Sequence, residues 1–455
     1  MFTAALSLTL LAMAAPQTFV LESSDPMWDM AMEDFNGDGM DDIAILTAAE
    51  RTHPLKKSVL IYLAQEGASF ATEPSYTLAL PPDSGAYFLA EVNGAPPKEF
   101  VAGNAAGAEV YTFEAASGLK SFVTARFDSL MPSGTREPSF LKGAAEDLDG
   151  DNRDEWIVPI PSGYAVRHVD RELARIACDV NSEIYRTGSV YIRHRLPDIL
   201  SFEGAGTKPR GLAFLSDEFA DFAHGPDWKE RTRFQIPLNV EEKWDASARM
   251  ADINMDGFPD LVVVQTRGTI NLEAITQIYV ATGPFQYPAE PTARFQSKGA
   301  VEAPLMIDVD GDGDKDALVV SIPFGAKNIV NYFVRGKISA DALVYAFDNG
   351  TFSKEPVYSK SLTLTAPEGR ERISYELADI NGDNRLDLAV SDGPNQLDIH
   401  TGEEKGFLSD KPAYEINIPA FGIAKAHDIK RDGSKDLVLI HPASENSRRA
   451  EVVIF

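Results

Sequence analysis

Short apolar runs rich in β-branched residues recur along the chain, among them IAIL (43–46), LVVV (261–264) and LAVS (388–391). Each has the length and composition of a buried strand. Downstream of these runs comes an alternating strand, a turn and an aromatic: SVLIYLAQEGASF, QIYVATGPFQY, LVYAFDNGTFS and LDIHTGEEKGF. Asn349-Gly350 and Gly402 read as turn residues, and Phe70, Phe285, Phe352 and Phe407 as the openings of the strand after each turn. A further strand such as YTLAL or SLTLT then completes the set, giving four short strands per unit.

What precedes each buried run fixes the period. Five acidic segments share one spacing: DFNGDGMDDIAIL, DLDGDNRDEWIV, DINMDGFPDLVVV, DVDGDGDKDALVV and DINGDNRLDLAV, starting at Asp34, Asp147, Asp252, Asp308 and Asp379. DIKRDGSKDLVLI at Asp428 keeps Asp432 and Asp436 but has Lys430 at its third position. Two double-length gaps predict hidden copies, read as EVNGAPPKEFVAG from Glu91 and SFEGAGTKPRGLAFL from Ser201. The separations are then 57, 56, 54, 51, 56, 71 and 49 residues, close to one structural unit of about 55. A lone four-stranded sheet cannot cover both its faces, and radial packing does so with protected edges. The pattern therefore predicts an all-β chain, a β-propeller of eight four-stranded blades, or seven if the 201 segment is an insertion. The last unit stops one strand short after AEVVIF, and QTFVLES near the N-terminus has no loop of its own. That predicts closure by overlap of the N- and C-terminal strands.

The acidic spacing also carries chemistry. Counting from the first Asp, positions 1, 3, 5 and 9 offer hard side-chain oxygens and position 7 a backbone carbonyl. The predicted ligand sets are Asp34, Asn36, Asp38, Met40 and Asp42; Asp147, Asp149, Asp151, Arg153 and Glu155; Asp252, Asn254, Asp256, Phe258 and Asp260. The other two are Asp308, Asp310, Asp312, Asp314 and Asp316, and Asp379, Asn381, Asp383, Arg385 and Asp387. Oxygen-only donors on a tight loop suit Ca²⁺, while Mg²⁺ demands a stricter octahedron. An EF-hand is excluded, because position 12 is Ile45, Val158, Val263, Val319 or Val390, inside a strand where that loop needs a Glu. A solvated acidic turn is disfavoured by magnitude: two carboxylates ~4 Å apart repel by about 4 kcal/mol at an effective dielectric of 20. The copies at Glu91, Ser201 and Asp428 are expected to be empty, with Lys430 held in an internal ion pair.

Charge and composition narrow the partners. The 455 residues carry a net charge of −27, and no basic stripe of the kind that binds nucleic acid is visible. Cys178 is the single cysteine, expected as a free buried thiol, so there is no intrachain disulfide and no Cys/His zinc motif. MFTAALSLTLLAMAAPQ reads as a signal peptide (1–14) ending at Ala12-Met13-Ala14, although it lacks a basic start. Residues 15–455 are then one repeat domain. No later stretch has 18 uncharged apolar residues. A secreted, periplasmic or cell-surface protein is expected.

The loops resemble the FG-GAP or VCBS repeat of integrin-α-type propellers, with the pattern D-x-[DN]-x-D-G-x-x-D before a strand. The resemblance implies structural Ca²⁺ in the five complete loops. Regular Phe-Gly and Gly-Ala-Pro elements are absent, which places the chain nearer the bacterial VCBS form.

Beyond calcium the sequence leaves three classes open. The first is a non-catalytic recognition or adhesion module for glycan or protein. The second is a polysaccharide lyase or other carbohydrate-active enzyme, although the seven His residues form no catalytic frame. The third is a structural part of a cell-surface assembly. Two segments break the period and could form loops that face a ligand. One is 325–342 with Lys327, Arg335 and Lys337, and the other is 216–234 with His224 and Trp228.

Overall fold

The computed structural model describes residues 15–455, apart from 50–54, 179, 188, 204–209, 217, 226, 237–243, 269–272, 284–285, 299, 302–303, 323–330, 333, 369–371, 404–406 and 443. The leader, Lys327 and Phe285 lie outside the described residues.

Eight antiparallel four-stranded sheets follow one another along the chain. Blade 1 is Met27–Glu33, Asp42–Ala48, Lys57–Tyr62 and Tyr76–Leu80; blade 2 is Ala86–Ala90, Glu99–Asn104, Gly107–Glu114 and Gly118–Arg126. Blade 3 is Ala145–Glu146, Glu155–Ile160, Gly163–Arg167 and Glu172–Ala177; blade 4 is Asp198–Phe202, Gly211–Leu215, Phe219–Ala223 and Arg231–Gln235. Blade 5 is Asp245–Ala251, Asp260–Arg267, Glu273–Tyr279 and Ala293–Lys298. In blade 6 the first strand is split into Ala300–Val301 and Leu305–Ile307, followed by Asp316–Ile322, Lys337–Tyr345 and Tyr358–Thr365. Blade 7 is Tyr375–Ala378, Asp387–Ser391, Gln396–His400 and Tyr414–Asn417.

Blade 8 closes the ring as the chain ends predict. Ile423–His427, Asp436–Ile440 and Arg449–Ile454 are joined by Gln17–Glu22, whose register runs from Gln17 opposite Ile454 to Glu22 opposite Arg449. Eight blades, not seven, make the β-propeller. Helix is limited to short turns at 331–332 and 334–335 among the described residues, and no helix is long and apolar enough to cross a membrane.

The strand sequences explain the ring. Second strands such as DIAILTA are buried at every position, so they need cover on both faces. Fourth strands such as YSKSLTLT alternate and sit at the wetter rim. The buried apolar residues separate into eight clusters, one at each junction between neighbouring blades. One of them joins Ile43 and Ile45 of blade 1 to Val438 and Val452 of blade 8, so the closing junction is as apolar as the rest. Truncating Ile45 to Ala there would cost about 2–5 kcal/mol.

Several sequence expectations are corrected. The weak copy in blade 4 begins at Glu203, not Ser201, because Gly211 opens its second strand as Asp42 does in blade 1. The separations around it become 56 and 49 residues, from 147 to 203 to 252, and no extra residues are needed. Segment 216–234 contains most of the third and fourth strands of blade 4, and Lys337 opens the third strand of blade 6. A further hairpin, Asn181–Thr187 with Ser189–Arg195, lies between blades 3 and 4. Phe70 and Phe352 do not open fourth strands. They lie in two-residue hairpins, Ala64–Gln65 with Ser69–Phe70 and Phe347–Asp348 with Thr351–Phe352, and Phe407 is buried beside a Gly402–Leu408 bridge. The fourth strands start later, at Tyr76, Tyr358 and Tyr414. Cys178 is half-buried rather than enclosed.

Candidate cation loops

Every acidic segment is the connection from a blade's first strand to its second. Positions 4 and 6 need left-handed backbone, which explains their residues. Gly37 and Gly39 have φ of 75° and 89°, Gly311 and Gly313 82° and 100°, and Gly382 and Asn384 75° and 62°. Met255 and Arg431 take the same conformation at position 4 without being glycine, at φ of 54° and 56°. This winding turns backbone N–H groups onto the position-1 carboxylate. Asp34 Oδ1 accepts from Gly37 (2.7 Å) and Asp38 (3.1 Å), and its Oδ2 accepts from Gly39 (2.9 Å). Asp379 accepts from Gly382, Asp383 and Asn384 in the same way. Position 1 is thus partly compensated by the loop itself, and the residual repulsion falls on positions 3, 5 and 9.

Position 9 opens the second strand and is fully buried. Asp42 Oδ2 accepts the Phe35 N–H at 3.0 Å, and Oδ1 accepts the Ala64 N–H at 2.8 Å from beyond the third strand. Asp260, Asp316 and Asp387 repeat both bonds, to Ile253 and Ala281, Val309 and Phe347, and Ile380 and Gly402. Asp436 keeps the outer bond, to Phe455, in the loop that lacks a position-3 oxygen. This carboxylate is therefore an architectural staple as well as a candidate oxygen ligand. Burial raises its pKa, to about 7 for Asp42 and Asp260 and about 6 for Asp316 and Asp387, with the loop's other acids adding to the rise and the N–H bonds opposing it.

The identity of position 3 decides how the oxygens converge. Where it is Asn, the amide bridges to position 5: Asn36 Nδ2 donates to Asp38 at 3.0 Å, Asn254 to Asp256 at 3.0 Å and Asn381 to Asp383 at 3.2 Å. Where it is Asp, position 3 offers no amide donor to bridge to position 5. Carboxylate oxygens of Asp308, Asp310 and Asp316 lie within 4.8 Å of one another in blade 6, as do those of Asp147, Asp149 and Asp151 in blade 3. At position 7 in blade 3, Arg153 places its guanidinium 2.8 Å from Asp151, and in blade 7 Arg385 lies 3.7 Å from Asp383.

The three weak copies behave differently. Lys430 pairs with Asp432 at 2.9 Å, the internal ion pair its position predicts. Glu91 accepts the Gly94 and Ala95 N–H groups, and Glu99 accepts from Val92 and Asn93. Glu203 pairs with Arg210 at 2.7 Å.

Neighbouring loops are tied to each other. The position-8 N–H donates to position 1 or 2 of the preceding loop at five junctions. These are Asp41 to Ile429, Asp154 to Glu91, Arg210 to Leu148, Lys315 to Ile253 and Lys435 to Asp379, at 2.7–3.0 Å. Pro259 has no N–H to give at position 8 of blade 5. Between blades 6 and 7 the loops touch closely enough that a Cβ on Gly311 would sit 2.8 Å from the Asn384 carbonyl.

Of the residues read as ligand-facing, Trp228 is buried in the core between blades 3 and 4 and its Nε1 donates to the Arg210 carbonyl at 3.2 Å. His224 has its ring edge-on to Phe202, and Lys337 pairs with Asp392 at 3.0 Å. Arg335 lies in the short turn before Lys337. Two groups escaped the sequence reading. His168 is buried at the end of the third strand of blade 3, with Nε2 3.0 Å from Glu155 Oε1. Burial and the neighbouring Arg153 push its pKa down. Glu376, on the first strand of blade 7, has a pKa raised to about 7 by burial, against the opposing charges of Lys142 and Lys425. Neither stands in the nine-residue spacing, so no motif marks it.

Comparison with solved structures finds only distant likenesses. A lectin of Agrocybe aegerita, described for specific recognition of non-reducing terminal N-acetylglucosamine, is 12% identical with a TM-score of 0.45, covering 96% of this chain and 99% of that one. The biofilm matrix protein Bap1 of V. cholerae is 11% identical with a TM-score of 0.43, covering 97% of this chain and 88% of that one. Sqt1 from Chaetomium thermophilum is 10% identical with a TM-score of 0.46, covering 94% and 96%. Likenesses this distant carry no argument about ligand or partner. No curated protein matches the chain. The FG-GAP-like repeat family matches residues 252–319, which run from the blade-5 loop through the blade-6 loop into its second strand. With that repeat at its centre and eight blades of the same build around one ring, the chain is an FG-GAP-type β-propeller.

Proposed function

We propose that the protein is a calcium-stabilised recognition module, a rigid ring that presents surface for a glycan or protein ligand outside the cytoplasm. The observation that carries the calcium half is the convergence of Asp308, Asp310 and Asp316 in blade 6, a buried carboxylate and two more exposed ones within 4.8 Å. Such a set is costly with no cation and is a hard-oxygen site with one. The residues fit the ion. Asp308, Asp310 and Asp312 would hold it from the loop, Asp316 from the strand, and the Asp314 carbonyl from position 7. The ion would supply charge neutralisation alone. By spacing, the loops of blades 1, 5 and 7 take the same role, and the blade-3 loop is a cation site as well.

The recognition half rests on architecture and charge. Loops joined in a belt make a stiff platform, and the net charge of −27 disfavours nucleic acid. A calcium affinity in the extracellular range would match a secreted or cell-surface setting. The test is elemental analysis of the calcium-equilibrated protein, followed by glycan-array binding with and without EDTA. Stoichiometric calcium with calcium-dependent binding supports the reading, and a metal-free protein that binds equally well overturns its calcium half. Unsaturated products from uronic-acid polymers would instead establish the lyase alternative.

A further inference from the structure

Blade 3 departs from the other acidic loops first in the residue that faces position 9. Continuing the register that pairs Trp156 with Arg167 sets His168 opposite Glu155. The residue opposite position 9 is Leu63, Val280, Ala346, Thr401 and Ile454 in blades 1, 5, 6, 7 and 8. Blade 4 also has a histidine there, His224, but it faces Gly211, where there is no carboxylate.

Position 9 is changed too. Glu155 is longer than the usual Asp. Its Oε2 keeps the structural bond to the Leu148 N–H at 2.7 Å. Its Oε1 and the Nε2 of His168 are buried without a hydrogen-bond partner among the described residues, although they lie 3.0 Å apart. The two side chains are 0% and 4% exposed. So short a contact without hydrogen-bond direction is what two ligands aimed at a third centre would show. Ligand atoms each about 2.1 Å from one ion stand about 3.0–3.4 Å apart. Asp149 completes the set, since its carboxylate, Glu155 and His168 offer atoms all within 4.8 Å of one another. Meanwhile Arg153 occupies Asp151, weakening the oxygen-only side of this loop.

We propose that the blade-3 loop holds a borderline divalent cation of the Zn²⁺ class through Asp149, Glu155 and His168, in place of the calcium assigned to the other four loops. An imidazole nitrogen with two carboxylates suits zinc, whereas calcium takes oxygen. The inference rests on reading these loops as cation sites, and it separates from that reading in one experiment. Chelator-stripped protein is dialysed against excess Ca²⁺ with micromolar Zn²⁺, and both metals are counted. One zinc and four calcium ions per chain are expected. His168→Ala should weaken zinc binding by more than about tenfold. Asp149→Asn, an exposed change that leaves the buried core untouched, should do the same with an unchanged melting curve. Co²⁺ substitution should give visible absorption bands that His168→Ala abolishes. Calcium in all five loops with no zinc overturns this proposal alone, neither metal bound overturns both readings, and zinc unaffected by His168→Ala and Asp149→Asn places it elsewhere and overturns the site.

Discussion

The backbone N–H of Asp41 donates to the carbonyl of Ile429 at 2.9 Å, across the junction where the first blade meets the last. The same Asp41 side chain takes His427 Nε2 and, at 2.6 Å, the Arg431 guanidinium. Arg431 also reaches to 3.5 Å from Asp34, the position-1 acid of blade 1. Ring closure and the blade-1 acidic loop therefore share one arginine.

That sharing sets a trade. Asp41→Ala should lower stability by about 1–3 kcal/mol by leaving Arg431 and His427 without their partly buried acid. Arg431→Ala should also destabilise the metal-free ring, yet bind calcium more tightly in blade 1 because Asp34 loses a competing cation. Melting curves with and without calcium would show a larger calcium-induced gain for Arg431→Ala than for the parent protein.

Calcium removal should lower the melting temperature of the whole ring. At a Kd of ~0.1 mM and ~1 mM calcium, each occupied site adds about 1.4 kcal/mol. Because neighbouring loops are hydrogen-bonded to one another, scanning calorimetry should show one cooperative transition that moves. An unchanged melt in EDTA is the contrary result.

Two substitutions at position 5 discriminate occupied from empty loops. Asp312→Ala in blade 6 should remove one bound calcium, measured by elemental analysis. Asp432→Ala in blade 8 should leave the count unchanged, because Lys430 already neutralises that acid at 2.9 Å.

Met255 holds left-handed backbone at φ 54° with its side chain in solvent. A non-glycine residue in that region is strained by roughly 1–2 kcal/mol, offset in part by the greater freedom glycine has when unfolded. Met255→Gly should therefore raise stability by about 0.5–1 kcal/mol, read from urea denaturation.

Glu376 supplies the pH dependence. Burial lifts its pKa from 4.5 to about 7, with Lys142 and Lys425 pulling it back, and Lys425 is itself shared with Asp29 at 2.7 Å. A folded pKa above the unfolded one means the native state binds the proton more tightly. The contribution is therefore full below about pH 4.5 and lost as the pH rises through about 7. Glu376→Gln should gain on the parent protein between pH 5 and pH 8, and parallel melting curves over that range would contradict the assignment.

The sequence by itself determined the repeat, the four strands of each unit and the closing overlap, and it narrowed the blades to eight or seven. All of these follow from information local to one period: strand length, alternation, and turn residues at fixed offsets. It also located the acidic loops and read Lys430 correctly, since a cation two residues from an acid on a nine-residue loop has few other places to go. The blade-4 copy was misplaced by two residues because its acids are eroded, and only strand pairing at Gly211 restores the register.

Tertiary structure alone decided the rest. The second role of position 9 depends on N–H groups such as Ala64 and Ala281, more than 20 residues away in sequence and brought near by the third strand. Trp228 reads as a candidate surface aromatic until blade 3 packs over it. His168 meets Glu155 only through cross-strand register, and Asp41 meets Ile429 only when the ring shuts. Local spacing encodes a blade, whereas contacts between blades depend on how whole sheets stack, and that stacking is set by buried shape rather than by any short motif.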